Sequence, residues 1–89
     1  MKDHSRIAGD YDAGYADLGN EIPDPTAAFG RLVMATATDG ALSIKTRDLI
    51  AFAIAIFVRC DGCIAHHAQA VANTGATRRE VAEMIGVAI

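Results

Sequence analysis

Apolar residues recur along this chain three and four apart, the spacing of one helix face, and nowhere in the alternation of a half-buried strand. From Pro25, the positions Ala28, Phe29, Leu32, Val33 and Ala37 describe a helix ending near Asp39-Gly40, with Asp24 placed to cap it and Pro25 suited to its first turn. A further helix starts at the cap Ser43, runs through Lys45-Thr46-Arg47-Asp48 into the apolar run Leu49 to Val58, and stops near Arg59. A helix apolar on all sides must be covered all round. Ile64 to Thr74 form another, closed by Gly75, a residue suited to the left-handed position after a helix end. Thr77-Arg78-Arg79-Glu80 matches the capping box, in which Thr and Glu satisfy two backbone amides reciprocally, and the helix it opens carries Val81, Met84, Ile85 and Ala88 on one stripe. Residues 1–22 are polar. Gly9, Gly14 and Gly19 interrupt Tyr11, Tyr15 and Leu18 there, and each glycine costs about 1 kcal/mol against alanine. A short helix around Asp10 to Gly19 is the most this segment predicts.

Composition agrees with an all-α chain. Of 89 residues 52% are apolar and 21% charged, and 18 are alanine, which lets helices approach closely. The pattern divides into an acidic amino-terminal arm, residues 1–22, and a single helical domain, residues 23–89. A domain this small leaves roughly 35 to 40% of its unfolded surface exposed, so partner subunits are expected to supply further burial. The longest apolar run has ten residues, against about 20 for a membrane span, so no membrane partner is expected. The amino terminus has no apolar stretch of the secretory kind, which makes the cytoplasm the default compartment. Residues 1–24 hold six acids and two bases, and no basic stripe or basic-aromatic alternation follows, so no nucleic-acid partner is expected.

Candidate chemistry concentrates in Cys60-Asp61-Gly62-Cys63-Ile64-Ala65-His66-His67. Successive helical residues lie 100° apart, so Cys63 and His67 are one turn apart and Cys60 projects about 20° from His67. At a helix start, unpaired amides and the macrodipole favour an anion, which lowers a thiol pKa and raises its thiolate fraction. Several readings of this cluster compete. The cysteines can be small core residues. Cys60, Cys63, His67 and Asp48 can nominally supply a four-ligand zinc site, although three of these ligands crowd onto two helical turns. Covalent haem is excluded, because Ile64 stands where its histidine must follow the second cysteine. A dithiol redox centre fits best, since C-x-x-C in a reducing compartment is more often catalytic than structural. The thioredoxin fold does not fit, for want of βαβ units.

Residues 43–89 resemble the alkylhydroperoxidase D-like branch of the carboxymuconolactone decarboxylase family. The resemblance rests on Lys45-Thr46-Arg47-Asp48-Leu49-Ile50, the Cys60 to His67 motif, Gly75-Ala76-Thr77 and Glu80-Val81-Ala82-Glu83. It implies a compact all-α bundle completed by oligomerisation, as trimers or hexamers, and a thiol-dependent alkylhydroperoxide reductase. Cys63 would be the peroxidatic thiol and Cys60 the resolving thiol, with His67 and Asp48 as proton relay. The implied partners are a hydroperoxide substrate and an external dithiol reductant of lipoyl type; no cofactor and no metal are expected. Asp48 stands where the family often has glutamate, and Gly62 where its best-known members have histidine. An acid at position 48 also reads simply as a first-turn residue favoured by the helix dipole. His66 points about 100° away from His67 and reads as a surface or interface residue, Arg47 and Arg59 as the wetted ends of the apolar helix, and Met34 and Met84 as core filler. The alternatives are a lactone decarboxylase, whose members typically lack the cysteine pair, and a non-catalytic redox-sensing or interaction module.

Overall fold

Asp3, Ser43, Cys60 and Thr77 each turn a side-chain oxygen or sulfur onto an amide of the helix that follows. These caps satisfy donors that the first turn leaves unpaired, and they set four of the five helix starts in the computed structural model, which describes residues 1–89. The helices are α1 (His4–Glu21), α2 (Pro23–Thr36), α3 (Ile44–Phe57), α4 (Asp61–Asn73) and α5 (Arg78–Ala88). None is long and apolar enough to cross a membrane.

Two starts differ from the pattern. α2 begins at Pro23, with Ile22 as its cap residue and no side-chain cap, so Asp24 lies inside the first turn instead of before it. The reason is near-continuity with α1: the Ile22 amide still donates to Leu18 O at 2.8 Å while its carbonyl accepts from Thr26, so one residue serves as end and start. α1 has 18 residues and is much longer than its glycines suggest. Packing offsets their cost, because Tyr11 lies over α4, Tyr15 hydroxyl donates to Thr26 O at 3.2 Å, and Ala8 is buried.

The helices meet in the order α2, α1, α4, α3, α5, each packing mainly on its neighbours in that series. The arrangement is flattened, with extents of 40 × 37 × 21 Å, and the end of α2 turns back toward α3 and α4. α4 is its centre, clasped by α1 and α3, and supplies two of the five buried residues, Ala65 and Val71. Phe52 and Ala55 of α3 and Ala8 of α1 complete the core. The predicted apolar face of α2 is not covered: Phe29, Leu32 and Val33 are all exposed.

Candidate functional site

The site begins at the corner between α3 and α4. Arg59 takes the left-handed conformation, φ +59°, and the Cys60 amide donates back to Ala55 O at 3.2 Å. A non-glycine residue there costs about 1–2 kcal/mol, and the corner it makes delivers Cys60 to the N-cap of α4. Cys60 Sγ accepts from the Cys63 amide at 3.3 Å and is joined to Cys63 in a disulfide, with Cα atoms 5.2 Å apart. Both cysteines are half-buried. Asp61, in the first turn beside them, pairs with Lys2 at 2.7 Å, which draws the start of α1 toward the disulfide end of α4.

One turn beyond Cys63, His67 is also half-buried. Desolvation holds its pKa below the usual 6.5, the neighbouring His66 pushes the same way, and Asp48 opposes both. A neutral imidazole able to accept a proton is the result. Asp48 itself is half-buried in the second turn of α3, not an exposed first-turn acid. His66, expected at a surface or interface, lies inside the site: its ring is 5.1 Å from that of His67, edge on, and 5.3 Å from that of Tyr11.

Asp48, His66 and His67 share an open cleft of about 550 Å³ between α2, α3 and α4, lined also by Ile50, Ala51, Ala70 and the α2–α3 loop residue Leu42. Neither cysteine lines it; from the two histidines the cleft follows α4 to Ala70 and Asn73, away from the disulfide. The structure thus brings His67 of α4 and Asp48 of α3 to one cleft and bonds Cys60 to Cys63, with Cys63 one helical turn before His67 on α4. No three His, Cys, Asp or Glu side chains gather in an arrangement that could hold a metal ion.

Tyr11 and Arg47 belong to this neighbourhood although their sequence settings gave little sign of it. Tyr11 sits in a polar, glycine-broken segment, and the one signal was on the other side of the contact. Gly62 has no side chain, and a Cβ there would lie 3.4 Å from the Tyr11 ring. Arg47, read as a wetted helix end, lines the cleft and donates from Nη1 to Thr36 O at 3.1 Å.

Comparison with known proteins gives consistent matches. The model of the carboxymuconolactone decarboxylase family matches residues 23–89. The fold is similar to the crystal structure of an apo carboxymuconolactone decarboxylase family protein from Legionella pneumophila, with TM-score 0.90 and 39% identity over 96% of this chain and 76% of that one. Among curated relatives, an uncharacterized protein of Haemophilus influenzae is 40% identical over 62% of this chain and 49% of its own length. Another, from the cox locus of Paracoccus denitrificans, is 39% identical over 79% of this chain and 60% of its own. An uncharacterized protein of Cupriavidus necator is 32% identical over 84% and 66% respectively. The chain therefore spans between half and two thirds of the length of these relatives.

Proposed function

The chain belongs to the carboxymuconolactone decarboxylase family, and we propose that within it this protein is a thiol-dependent hydroperoxide reductase. One observation carries the reading: a C-x-x-C disulfide at a helix N-cap, with a desolvated, proton-accepting His67 one turn further along the same helix. Helix-start amides stabilise thiolate, and His67 accepts the thiol proton.

In the reduced protein Cys63 thiolate attacks the terminal oxygen of the hydroperoxide. An S–O bond forms, the O–O bond breaks, and the departing alkoxide takes a proton from His67 to leave as alcohol. Cys60 thiolate then attacks the sulfenic sulfur, forming the disulfide and releasing hydroxide, which is protonated to water. Two thiols and one hydroperoxide thus become a disulfide, an alcohol and water. An external dithiol, of lipoyl type in this reading, restores the pair by exchange. Attack at Cys63 sulfur releases Cys60, whose thiolate keeps the amide hydrogen bond of the N-cap and is the better leaving group. Asp48 acts by holding a charge beside His67.

The test is mass spectrometry of reduced protein exposed to an organic hydroperoxide. Wild type is expected to form the intramolecular disulfide, Cys60→Ser to stop at the sulfenic acid, and Cys63→Ser to be inert. Equal and slow reaction of all three would remove the peroxidase assignment. Turnover of a carboxylactone that survives Cys63→Ser would assign the cleft to decarboxylase chemistry instead.

A further inference from the structure

The chain has eight lysines and arginines, and only Lys45 and Arg47 are half-buried. Lys45 is committed to Glu80 at 2.8 Å. Arg47 has no carboxylate partner, although it lies next in sequence to Asp48 and lines the same cleft. Its guanidinium lies beside Gly40, and Nη1 donates to Thr36 O at the end of α2. One of five side-chain donors is used, and the other four have no protein acceptor.

A guanidinium that lines a cleft with no carboxylate in salt-bridge contact can receive a carboxylate, which it grips with two parallel hydrogen bonds. The wall beside it is apolar, formed by Val33, Leu42, Ile50 and Ala51. Asp48 lines the same cleft and repels a second carboxylate, so the head must settle on the side of Arg47 away from it. Resting on the peroxidase reading above, we infer that the preferred substrate is an amphipathic hydroperoxide, with a carboxylate head on Arg47 and an apolar body along the cleft. Its hydroperoxide end must then leave the cleft past His67 to reach Cys63, which lies outside the lining, one turn or roughly 6 Å before His67 on α4. The about 550 Å³ of the cleft is in the range of small-molecule sites.

The experiment compares 10-hydroperoxydecanoic acid with its methyl ester as oxidants of the reduced protein at pH 7 and low salt, quenching and counting thiols by mass spectrometry. The acid is expected to react about tenfold faster than the ester, as befits one charge-assisted pair. The ratio should fall to about one in Arg47→Gln and recover partly in Arg47→Lys, which keeps charge but loses the two-pronged grip. Equal rates for acid and ester in wild type, or a preference that persists in Arg47→Gln, overturn the inference while leaving the peroxidase reading intact. If neither compound outpaces a free dithiol of similar acidity, the peroxidase reading fails and this inference with it. The wild-type comparison needs no variant, so it stands even if substitution at Arg47 disturbs the α2–α3 loop.

Discussion

At the scale of single residues, the charge on His67 is the property that the site controls most closely. Three neighbours act on it with known signs: burial and His66 disfavour the protonated ring and Asp48 favours it. Asp48→Asn is therefore expected to lower the His67 pKa further and His66→Gln to raise it, each read directly from the imidazole proton shifts in an NMR titration. A movement of either in the opposite direction would dismiss the coupling. Thiol oxidation should rise with pH through an inflection below 6.5 in wild type, and His67→Gln should cost roughly 10²-fold in rate, the usual weight of a general base. Linkage has the same sign for stability, since a histidine whose folded pKa is depressed leaves the unfolded chain binding more protons. Its contribution is complete above about 6.5 and fades as pH falls toward the folded value. The Cys60–Cys63 pair was legible because C-x-x-C across a helix start brings its two sulfurs together whatever packs around it, and the place of His67 because it follows Cys63 by one turn. The proximity of Tyr11, and the setting of Arg47, were not, because both depend on how α1 and the α2–α3 loop fold back, which no local period encodes.

Among the elements, α5 packs on α3 and is tied to it by an ion pair at its first turn. Thr77 and Glu80 form the capping box, and Glu80 also takes the Lys45 ammonium of α3 at 2.8 Å. Lys45 and the Thr77 amide together hold the Glu80 carboxyl well below its ordinary 4.5, at about 2. A carboxylate depressed in this way stabilises the fold above its unfolded pKa, and the contribution is lost as pH falls from about 4.5 to about 2. Glu80→Gln is expected to lower the melting temperature at pH 7 and to make little difference near pH 2; an equal deficit at both would mean that the carboxylate charge is irrelevant.

The α1–α4 contact makes a second expectation. Gly62 faces the Tyr11 ring at van der Waals distance, so Gly62→Ala fits and gains up to about 1 kcal/mol of helix propensity. Gly62→His must push the ring aside and is expected to cost about 1–3 kcal/mol, as overpacking does. Most of that cost should disappear in a Tyr11→Ala background, measured as a double-mutant cycle in urea. Additive effects would show that the two positions do not meet. The capping box and the Ser43 and Cys60 starts were readable because a cap is a local agreement between a side chain and the next three amides. α1 was under-read for the converse reason. Its glycines weaken the local preference, and tertiary contact through Ala8, Tyr11 and Tyr15 reverses the balance.

For the whole molecule, surface area is the informative quantity. A folded monomer of 9.3 kDa is expected to expose about 5,000 Å², and this chain exposes 6426 Å². The radius of gyration, 13.9 Å, likewise exceeds the roughly 12 Å of a globule of this length. The excess goes with the apolar positions left uncovered at the surface. Ile54 and Phe57 of α3 meet Val87 and Ile89 at the end of the chain in one exposed apolar hollow, and Phe29, Leu32 and Met34 of α2 form a second such surface. We propose that further copies of this chain, each offering the same unpaired faces, cover an excess well above the about 800 Å² that each partner contributes to a standard interface. Wild type is expected to elute as an oligomer in light-scattering chromatography, with a melting temperature that rises with protein concentration. Phe57→Glu, which places a charge on a side chain 76% exposed in one copy, should shift the mass toward the monomer and abolish that concentration dependence. Leu32→Glu, on α2, tests the other face in the same way. A monomer for wild type across the micromolar to millimolar range would leave these faces without an occupant of this kind. The site has a stake in the outcome, because Val33, Leu42 and Ile50 form the open rim of the cleft and are themselves exposed. Oligomerisation that covers this rim would further desolvate Arg47 and His67. The acid-over-ester preference should then weaken on dilution below the association midpoint, together with the depression of the His67 pKa.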